Sequence, residues 1–143
     1  MEKEIYALAF DIGTTGVKTC LFKIGKTIEL LEAATEGYKL YIMPNGGAEQ
    51  DPDEWWAAMC STSKKVMAEA GVDPKDVYGI SFCSQMQGLV LVDKDGKHVR
   101  RAFSYMDQSA TEELKKGMWI FVCSVISGVS TAMKWRVAFC NTP

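Results

Sequence analysis

The short link between the first two strand-like segments limits the fold of this chain more than any other feature. Residues Ile5–Gly13 form an apolar run that is typical of a buried strand, and Val17–Ile24 alternate in the manner of a second strand. Because only a few residues separate the two segments, we expect them to pair as an antiparallel hairpin. A dinucleotide-binding fold would pass from its first strand into a helix, so the sequence argues against that fold.

The following segments predict an α/β fold with a mixed sheet, in the order β-β-β-α-β. Residues Thr27–Tyr38 extend the hairpin by a third strand, and residues 43–50 have the composition of a loop. A helix is expected between a capping residue, Asp51, and a stop at Gly71. The apolar segment Asp76–Ser84 then predicts another buried strand.

Two smaller elements complete the predicted fold. A hairpin is expected to turn at Asp93–Gly96, and a short helix to run over about residues 107–116. In the long helix, Glu54 follows Asp51 by three residues, a spacing that predicts a reciprocal capping box.

Residues 117–143 differ in composition from the chain before them. The run from Gly117 to Met133 is apolar and carries no charge, but it is slightly short for a membrane span and is interrupted by serines. We expect residues 1–116 to form part of one lobe and residues 117–143 to be an atypical tail, either native or the product of a truncation or a frameshift. Exposed apolar surface on such a tail would favour self-association.

The composition is that of a globular protein with a substantial core. Apolar residues make up 48% of the sequence and charged residues 24%, and the net charge of −2 gives no indication of a nucleic-acid or membrane partner. The N-terminal residues lack the pattern of a signal peptide, and the five cysteines are widely spaced without a metal-binding motif. We therefore expect a cytoplasmic protein with reduced thiols, in which His98 lies on the surface.

The residues between the first two strands suit the binding of phosphate. Glycines allow a left-handed or tight turn in which successive backbone N–H groups bind an anion, and threonine hydroxyls and a lysine add donors and charge. The expected phosphate ligands are Gly13, Thr14, Thr15, Gly16 and Lys18. Asp11, at the end of the first strand, offers oxygen ligands to a divalent cation. A plain tight hairpin, in which these residues only make the turn, is the alternative, and the spacing is not that of a P-loop.

The stretch "DIGTTGVK", Asp11–Lys18, resembles the first phosphate motif of the actin-like ATPase superfamily, and most closely that of the FGGY carbohydrate kinases. Two further stretches, "GGAEQDPDEWW" and "GISFCSQMQGLVLVDKDGKHVRRAFSYMDQSA", are similar to that family in the same order, so the resemblance covers roughly residues 5–116. It implies an actin-like (ribonuclease H-like) half-domain that uses ATP and Mg²⁺. It also implies that Asp11 positions the metal.

The same resemblance implies a site for a sugar after the strand that ends at Ser84. The amides of Gln85 and Gln87 suit the hydroxyls of a polyol, and Met86 and Gln87 correspond to sugar contacts of the family. The turn resembles Gln-Met-His in xylulose kinases and Gln-Arg-Glu in glycerol kinases, so Met86 favours a pentulose-like substrate. Loop and edge packing is the alternative role for Met86 and Gln87.

The stretch "YMDQSA" departs from the family pattern. Tyr105 stands where the family often has Trp, and Ser109 stands where it usually has Arg. The resemblance implies that Asp107 is a sugar ligand that lacks its usual arginine partner. Capping of the helix that follows is the alternative role for this residue.

The catalytic aspartate of the family belongs to a later motif, and the adenosine site belongs mostly to a second lobe. Neither is expected within these 143 residues, so the resemblance implies an N-terminal fragment with a small-molecule sugar substrate and no general base of its own. Two other functions stay open. One is a non-catalytic actin-like module that binds a nucleotide or a partner, and the other is an actin-like phosphatase or heat-shock-type ATPase.

Overall fold

A computed structural model describes residues 5–115 of the chain. The strands are β1 (Ile5–Ile12), β2 (Gly16–Ile24), β3 (Ile28–Gly37), β4 (Tyr41–Ile42), β5 (Ala48–Gln50), β6 (Val77–Ser84) and β7 (Ala102–Phe103). The helices are α1 (Pro52–Ala70), a 3₁₀ turn (Pro74–Asp76) and α2 (Thr111–Lys115). Their order confirms the predicted β-β-β-α-β pattern with a mixed sheet.

The main sheet has the strand order β3-β2-β1-β6. β1 pairs antiparallel with β2, as the short link requires, and β2 pairs antiparallel with β3. β6 returns after the long helix and pairs parallel with β1, so the carboxyl ends of β1 and β6 lie at the same edge. A smaller antiparallel sheet has the order β4-β5-β7.

The alternation along β1 and β2 places one set of side chains under α1. The core cluster of buried residues is Leu8, Phe10, Val17, Leu21, Ala34, Ala58 and Val66. Two threonines also join the helix to the sheet, because Thr62 donates to the Ala58 carbonyl at 2.7 Å and lies 2.7 Å from the Thr19 hydroxyl. The buried polar pair is thus satisfied internally, as buried hydroxyls require.

The long helix has the predicted ends but a different cap geometry. Asp51 Oδ1 accepts the Asp53 amide at 3.0 Å, and Gly71, with φ of 66°, ends the helix in the left-handed conformation. The predicted capping box is wrong, because Glu54 instead accepts the Lys39 amide at 2.9 Å and the Tyr41 hydroxyl at 2.7 Å. The carboxylate therefore joins the helix to the chain before it.

Three local expectations need correction. Part of the stretch predicted as a loop is strand β5, which gains its partners from β4 and from the distant β7. The last helix begins at Thr111 rather than near residue 107. The hairpin that turns at Asp93–Gly96 forms with isolated bridges only, at Leu89 with Phe103 and at Val92 with His98.

One apolar surface of the sheet has no cover within the described part of the chain. Ile80 and Phe82 of β6 pair with Leu8 and Phe10 and so point to the same side as the core, yet they are 61% and 66% exposed. The reason is that α1 packs mainly on β2 and β3.

The expected tail, residues 117–143, lies outside the described residues. Among residues 5–115, no helix is long and apolar enough to cross a membrane. The cysteines within this range, Cys20, Cys60 and Cys83, are free thiols.

Candidate functional site

The parallel pairing of β1 and β6 brings two predicted site segments together. Ile12 at the end of β1 pairs with Ser84 at the end of β6, and the Gln85 amide donates to the Ile12 carbonyl at 2.8 Å. The turn of residues 13–16 and the turn of residues 85–87 are therefore neighbours at one edge of the sheet. Ligands of open α/β sheets bind at this kind of edge, outside the carboxyl ends of the strands.

The carbonyl groups of the first turn are held by the body of the protein. The Gly13 amide donates to the Gly16 carbonyl at 3.0 Å. The Tyr38 hydroxyl donates to the Gly13 carbonyl and lies 3.2 Å from that of Gly16, while the Tyr38 amide donates to the Thr15 carbonyl at 3.3 Å. A carbonyl oxygen that faced a phosphate would repel it. The hydrogen bonds from the Gly13 amide and from Tyr38 therefore direct these carbonyl oxygens toward donors of the protein itself.

In contrast to the carbonyl groups, two backbone amide groups of this turn are not engaged by the described part of the protein. Among the described residues, the amides of Thr14 and Thr15 make no hydrogen bond. Successive unpaired N–H groups in a tight turn can bind an anion, as predicted for this segment. The turn can therefore present donors to a phosphate while its acceptors are occupied.

Of the two geometries expected for the glycines of this turn, the tight turn is present and the left-handed one is not. Positive φ angles occur at Gly46, Gly71 and Gly96 but at neither glycine of this turn. A Cβ at Gly16 would lie 2.5 Å from the Glu36 carbonyl oxygen, so this position needs glycine for the close approach of β3. The turn is consequently packed against the end of β3.

The predicted metal ligand lies beside the turn on the sheet face opposite the core. Asp11 is exposed and is the cross-strand partner of Lys18, so the carboxylate and the ammonium group share this face. The Cys83 thiol is 3.5 Å from Asp11 Oδ1, and burial together with this carboxylate raises the pKa of the thiol. Asp11 is thus accessible to a hydrated cation next to the unpaired amides.

The predicted sugar turn has one buried and two exposed side chains. Gln85 is partly buried, and its Nε2 donates to Gln50 Oε1 at 2.6 Å. Met86 is 54% exposed, and Gln87 is exposed with a φ of 63°. A side chain other than glycine in this region costs about 1–2 kcal/mol, and such residues are frequent at ligand sites.

Asp107 connects the smaller sheet to the segment before α2. Its Oδ2 accepts the Ala48 amide at 2.8 Å, and its Oδ1 accepts the Ser109 hydroxyl at 2.5 Å and amide at 3.1 Å. Burial raises the pKa of this carboxyl, but the hydrogen bonds from Ser109 and Ala48 outweigh that effect and hold the pKa below its usual range. Ser109, at the position where the resemblance leads us to expect an arginine, therefore supplies a partner for the acid.

His98 has acidic partners on the long helix. Its Nε2 lies 3.2 Å from Asp53 and 4.0 Å from Asp51, and the hydrogen bond to Asp53 raises the pKa of the imidazole. The three side chains could each offer one atom to a metal ion. Asp51 is engaged as the helix cap, however, and the positive end of the helix disfavours a cation there. We interpret the cluster as a contact between the hairpin and α1.

Two residues of the candidate site, Tyr38 and Gln50, were not predicted from the sequence. Tyr38 is 25 residues from Gly13, and Gln50 is 36 residues from Thr14, whose carbonyl accepts the Gln50 Nε2 at 2.7 Å. Gln50 lies within the stretch that resembles the FGGY kinases, which is the signal that could have identified it. No sequence signal marked Tyr38 as more than a strand end.

The phenol of Tyr38 should ionise late. Burial and the negative charge of Asp11 raise its pKa from the ordinary 10.0 to about 12. Because this pKa is higher in the folded than in the unfolded state, the protonated phenol stabilises the folded protein. That contribution to the unfolding free energy is fully present below pH 10 and is lost as the pH rises through 12. We expect the tyrosinate absorbance to show a step near pH 12 that is missing in Tyr38→Phe. Tyr78→Phe, which removes an exposed phenol, is the control. Because the hydrogen bond to Glu54 also raises the pKa of Tyr41, the assignment is contradicted if the step near pH 12 keeps its full amplitude in Tyr38→Phe.

The structure has thus shown a mixed α/β fold in which a phosphate-type hairpin and an amide-bearing turn share one sheet edge. These features fit the actin-like half-domain that the sequence resemblance implies. Residues 6–118 match the FGGY family of carbohydrate kinases, N-terminal domain. The chain belongs to this family.

Curated relatives agree with the family match. A xylulose kinase of Staphylococcus epidermidis is 36% identical over 107 residues, which are 75% of this chain and 21% of the relative. A xylulose kinase of Bacillus subtilis (strain 168) is 31% identical over 108 residues, with 76% and 21% coverage. The chain therefore spans about a fifth of the length of the curated relatives it matches.

Solved structures confirm the predicted actin-like half-domain. A ligand-bound xylulose kinase from Lactobacillus acidophilus is 25% identical with a TM-score of 0.66, and the match covers 78% of this chain and 22% of the kinase chain. A gluconate kinase from the same organism, at 24% identity, has a TM-score of 0.68 with 80% and 22% coverage, which supports the fold alone.

Proposed function

We propose that this protein is the N-terminal part of an ATP-dependent carbohydrate kinase that transfers the γ-phosphate of MgATP to a hydroxyl of a pentulose-like sugar. The observation that carries the proposal is the parallel pairing of β1 and β6. This pairing makes neighbours of the turn of residues 13–16, called the phosphate turn below, and the turn of residues 85–87, called the sugar turn. Phosphoryl transfer depends mainly on positioning the two substrates and neutralising the charge of the phosphates. The groups proposed for both tasks lie at the sheet edge where β1 and β6 end.

In this proposal the first turn binds phosphate and Asp11 orients the metal. The amides of Thr14 and Thr15, which are free among the described residues, donate to phosphate oxygens, and Lys18 adds a positive charge. The Mg²⁺ of MgATP supplies charge neutralisation of the phosphates, and the exposed Asp11 carboxylate would hold it through its water ligands. Gly13 and Gly16 keep the turn tight enough for this approach.

The second turn is proposed to bind the sugar. Met86 would contact its carbon skeleton, and Gln87 would exchange hydrogen bonds with its hydroxyls. The left-handed backbone of Gln87 supports this role, because a glycine would occupy that conformation at lower cost. Asp107 remains a proposed ligand through Oδ2, which accepts only the Ala48 amide, whereas Oδ1 already accepts two hydrogen bonds from Ser109.

The general base is proposed to belong to a part of the kinase outside residues 1–143. Residues 1–116 would form one lobe and residues 117–143 an atypical tail. We expect the chain alone to release no ADP in a coupled assay with MgATP and D-xylulose, D-ribulose, gluconate or glycerol. The test of the proposal is therefore binding rather than turnover.

We expect D-xylulose binding to be lost in Gln87→Gly while the fold is retained. The substitution removes the proposed hydroxyl partner but relieves the positive φ, so the unfolding free energy should be unchanged or higher by up to about 1 kcal/mol. Calorimetric titration with D-xylulose and urea unfolding measure the two quantities. Lys64→Ala removes an exposed polar side chain of α1, away from both turns, and should bind as the unmodified chain does.

Three outcomes would count against the proposal. Equal sugar affinity in Gln87→Gly would remove this residue from the site. Failure of the unmodified chain to bind D-xylulose, ribulose, gluconate or glycerol would oppose the sugar-binding role. Robust ADP release by the chain alone would contradict the placement of the base outside it.

A further inference from the structure

Gln50 connects the two proposed binding turns through one pair of hydrogen bonds. Its Nε2 donates to the Thr14 carbonyl at 2.7 Å, and its Oε1 accepts from Gln85 Nε2 at 2.6 Å. The side chain belongs to a residue that is only 1% exposed, so water does not compete for these bonds. The smaller sheet holds it, because Gln50 in β5 pairs with Ala102 in β7.

The orientation of both amides follows from a single group. The Thr14 carbonyl can only accept a hydrogen bond, so the NH₂ end of Gln50 must face it. The carbonyl end of Gln50 then faces Gln85, which must present its own NH₂ group. Gln85 Oε1 is consequently turned away, buried and without a partner among the described residues.

We propose that Gln50 is a positioning residue that sets the phosphate turn and the sugar turn relative to each other. It holds the Thr14 carbonyl away from the phosphate side and directs Gln85 so that the unpartnered oxygen is ready to accept a hydrogen bond. An unpaired buried acceptor is unfavourable by about 1–3 kcal/mol, and a sugar hydroxyl is a donor of the kind that would satisfy it. This inference rests on the proposed function.

The consequence is that loss of one side chain weakens both sites. Gln50→Met keeps the approximate size but removes both hydrogen bonds, so the Thr14 carbonyl and the Gln85 amide lose their fixed positions. We expect the dissociation constants for MgATP and for D-xylulose each to rise about tenfold or more in this variant. A residue that served only the packing of β5 would lower stability without moving both affinities together.

Gln50→Glu provides a sharper test, because its effect should depend on pH. The ionised carboxylate has no donor for the Thr14 carbonyl, whereas the protonated carboxyl can donate to Thr14 and accept from Gln85. Burial without a cationic partner raises the pKa of a carboxyl, so the protonated form is accessible in mildly acidic solution. We expect the Gln85 side-chain amide and the Thr14 and Thr15 backbone amides to return to their wild-type NMR positions as the pH falls.

The readouts separate this inference from the proposed function. Ser61→Glu introduces the same charge at an exposed position of α1 and should show no such pH-dependent change in these signals. Two NMR results would overturn the positioning role of Gln50. One is unchanged Gln85 side-chain signals in Gln50→Met, and the other is a set of signals in Gln50→Glu that does not change with pH. Altered signals with unchanged affinity for both MgATP and D-xylulose would overturn it as well. If the unmodified chain binds neither probe, the proposed function fails, while the NMR signals still decide whether Gln50 holds the two turns.

Discussion

Gly16→Ala is expected to destabilise the protein by about 3 kcal/mol or more and to displace the phosphate turn. The added Cβ would lie 2.5 Å from the Glu36 carbonyl oxygen and 3.0 Å from the Gly37 Cα. Both contacts are with backbone, so no side chain can rotate to relieve them. Either β3 separates from β2 or the turn moves, and both changes disturb the bonds that hold the turn carbonyls.

The matched control for this substitution lies just beyond the other end of the same strand. A Cβ at Gly25 would meet no atom within 4 Å apart from its chain neighbours, and the φ of this residue is not in the left-handed region. Gly25→Ala should therefore change the unfolding free energy by no more than about 0.5–1 kcal/mol, and in the stabilising direction if at all. Urea unfolding measures both variants, and equal stability of the two would contradict the role of close approach.

Leu21→Ala is expected to lower the unfolding free energy by about 2–5 kcal/mol. Leu21 is fully buried, and it lies opposite Leu8 in the register of β1 and β2. Truncation removes apolar contacts and leaves a cavity beneath α1. Since small domains are stable by about 5–15 kcal/mol, this loss could unfold a large fraction of the chain at physiological temperature.

Leu30→Ala tests whether the effect depends on burial. Leu30 is 53% exposed on β3, so its truncation should cost less than about 1 kcal/mol. Thermal and urea unfolding of both variants give the comparison. A loss in Leu21→Ala no larger than that in Leu30→Ala would show that the core lies elsewhere.

The main sheet and the long helix could be predicted because their signals are local. The few residues between β1 and β2 leave only an antiparallel hairpin, and Asp51 and Gly71 mark the ends of α1 within one turn. The FGGY resemblance was confirmed for the same reason, since its motifs are short contiguous stretches. Strand β5 was missed because its partners, β4 and β7, are not marked in its own sequence.

The exposed residues of the candidate site were proposed from the sequence, whereas the buried contacts that hold them were not foreseen. Asp11 and the turn that follows it were proposed from residue type together with the resemblance to the FGGY kinases, and their roles stay predictions. The residue type of Asp107 did not predict its hydrogen-bond partners. Its two oxygens contact Ala48 and Ser109, and Ser109 stands at the position where an arginine was expected. The role of Asp107 as a sugar ligand stays a prediction.

The sequence by itself determined the hairpin, the helix and the family, because spacing and residue type act over a few positions. Only the tertiary structure decided which groups of the phosphate turn face outward. Tyr38 and Gln50 reach its carbonyls from 25 and 36 residues away and engage the acceptors, whereas the amides of Thr14 and Thr15 have no partner within residues 5–115. Hydrogen bonds over such separations depend on how β3 and β5 pack, which no local pattern encodes.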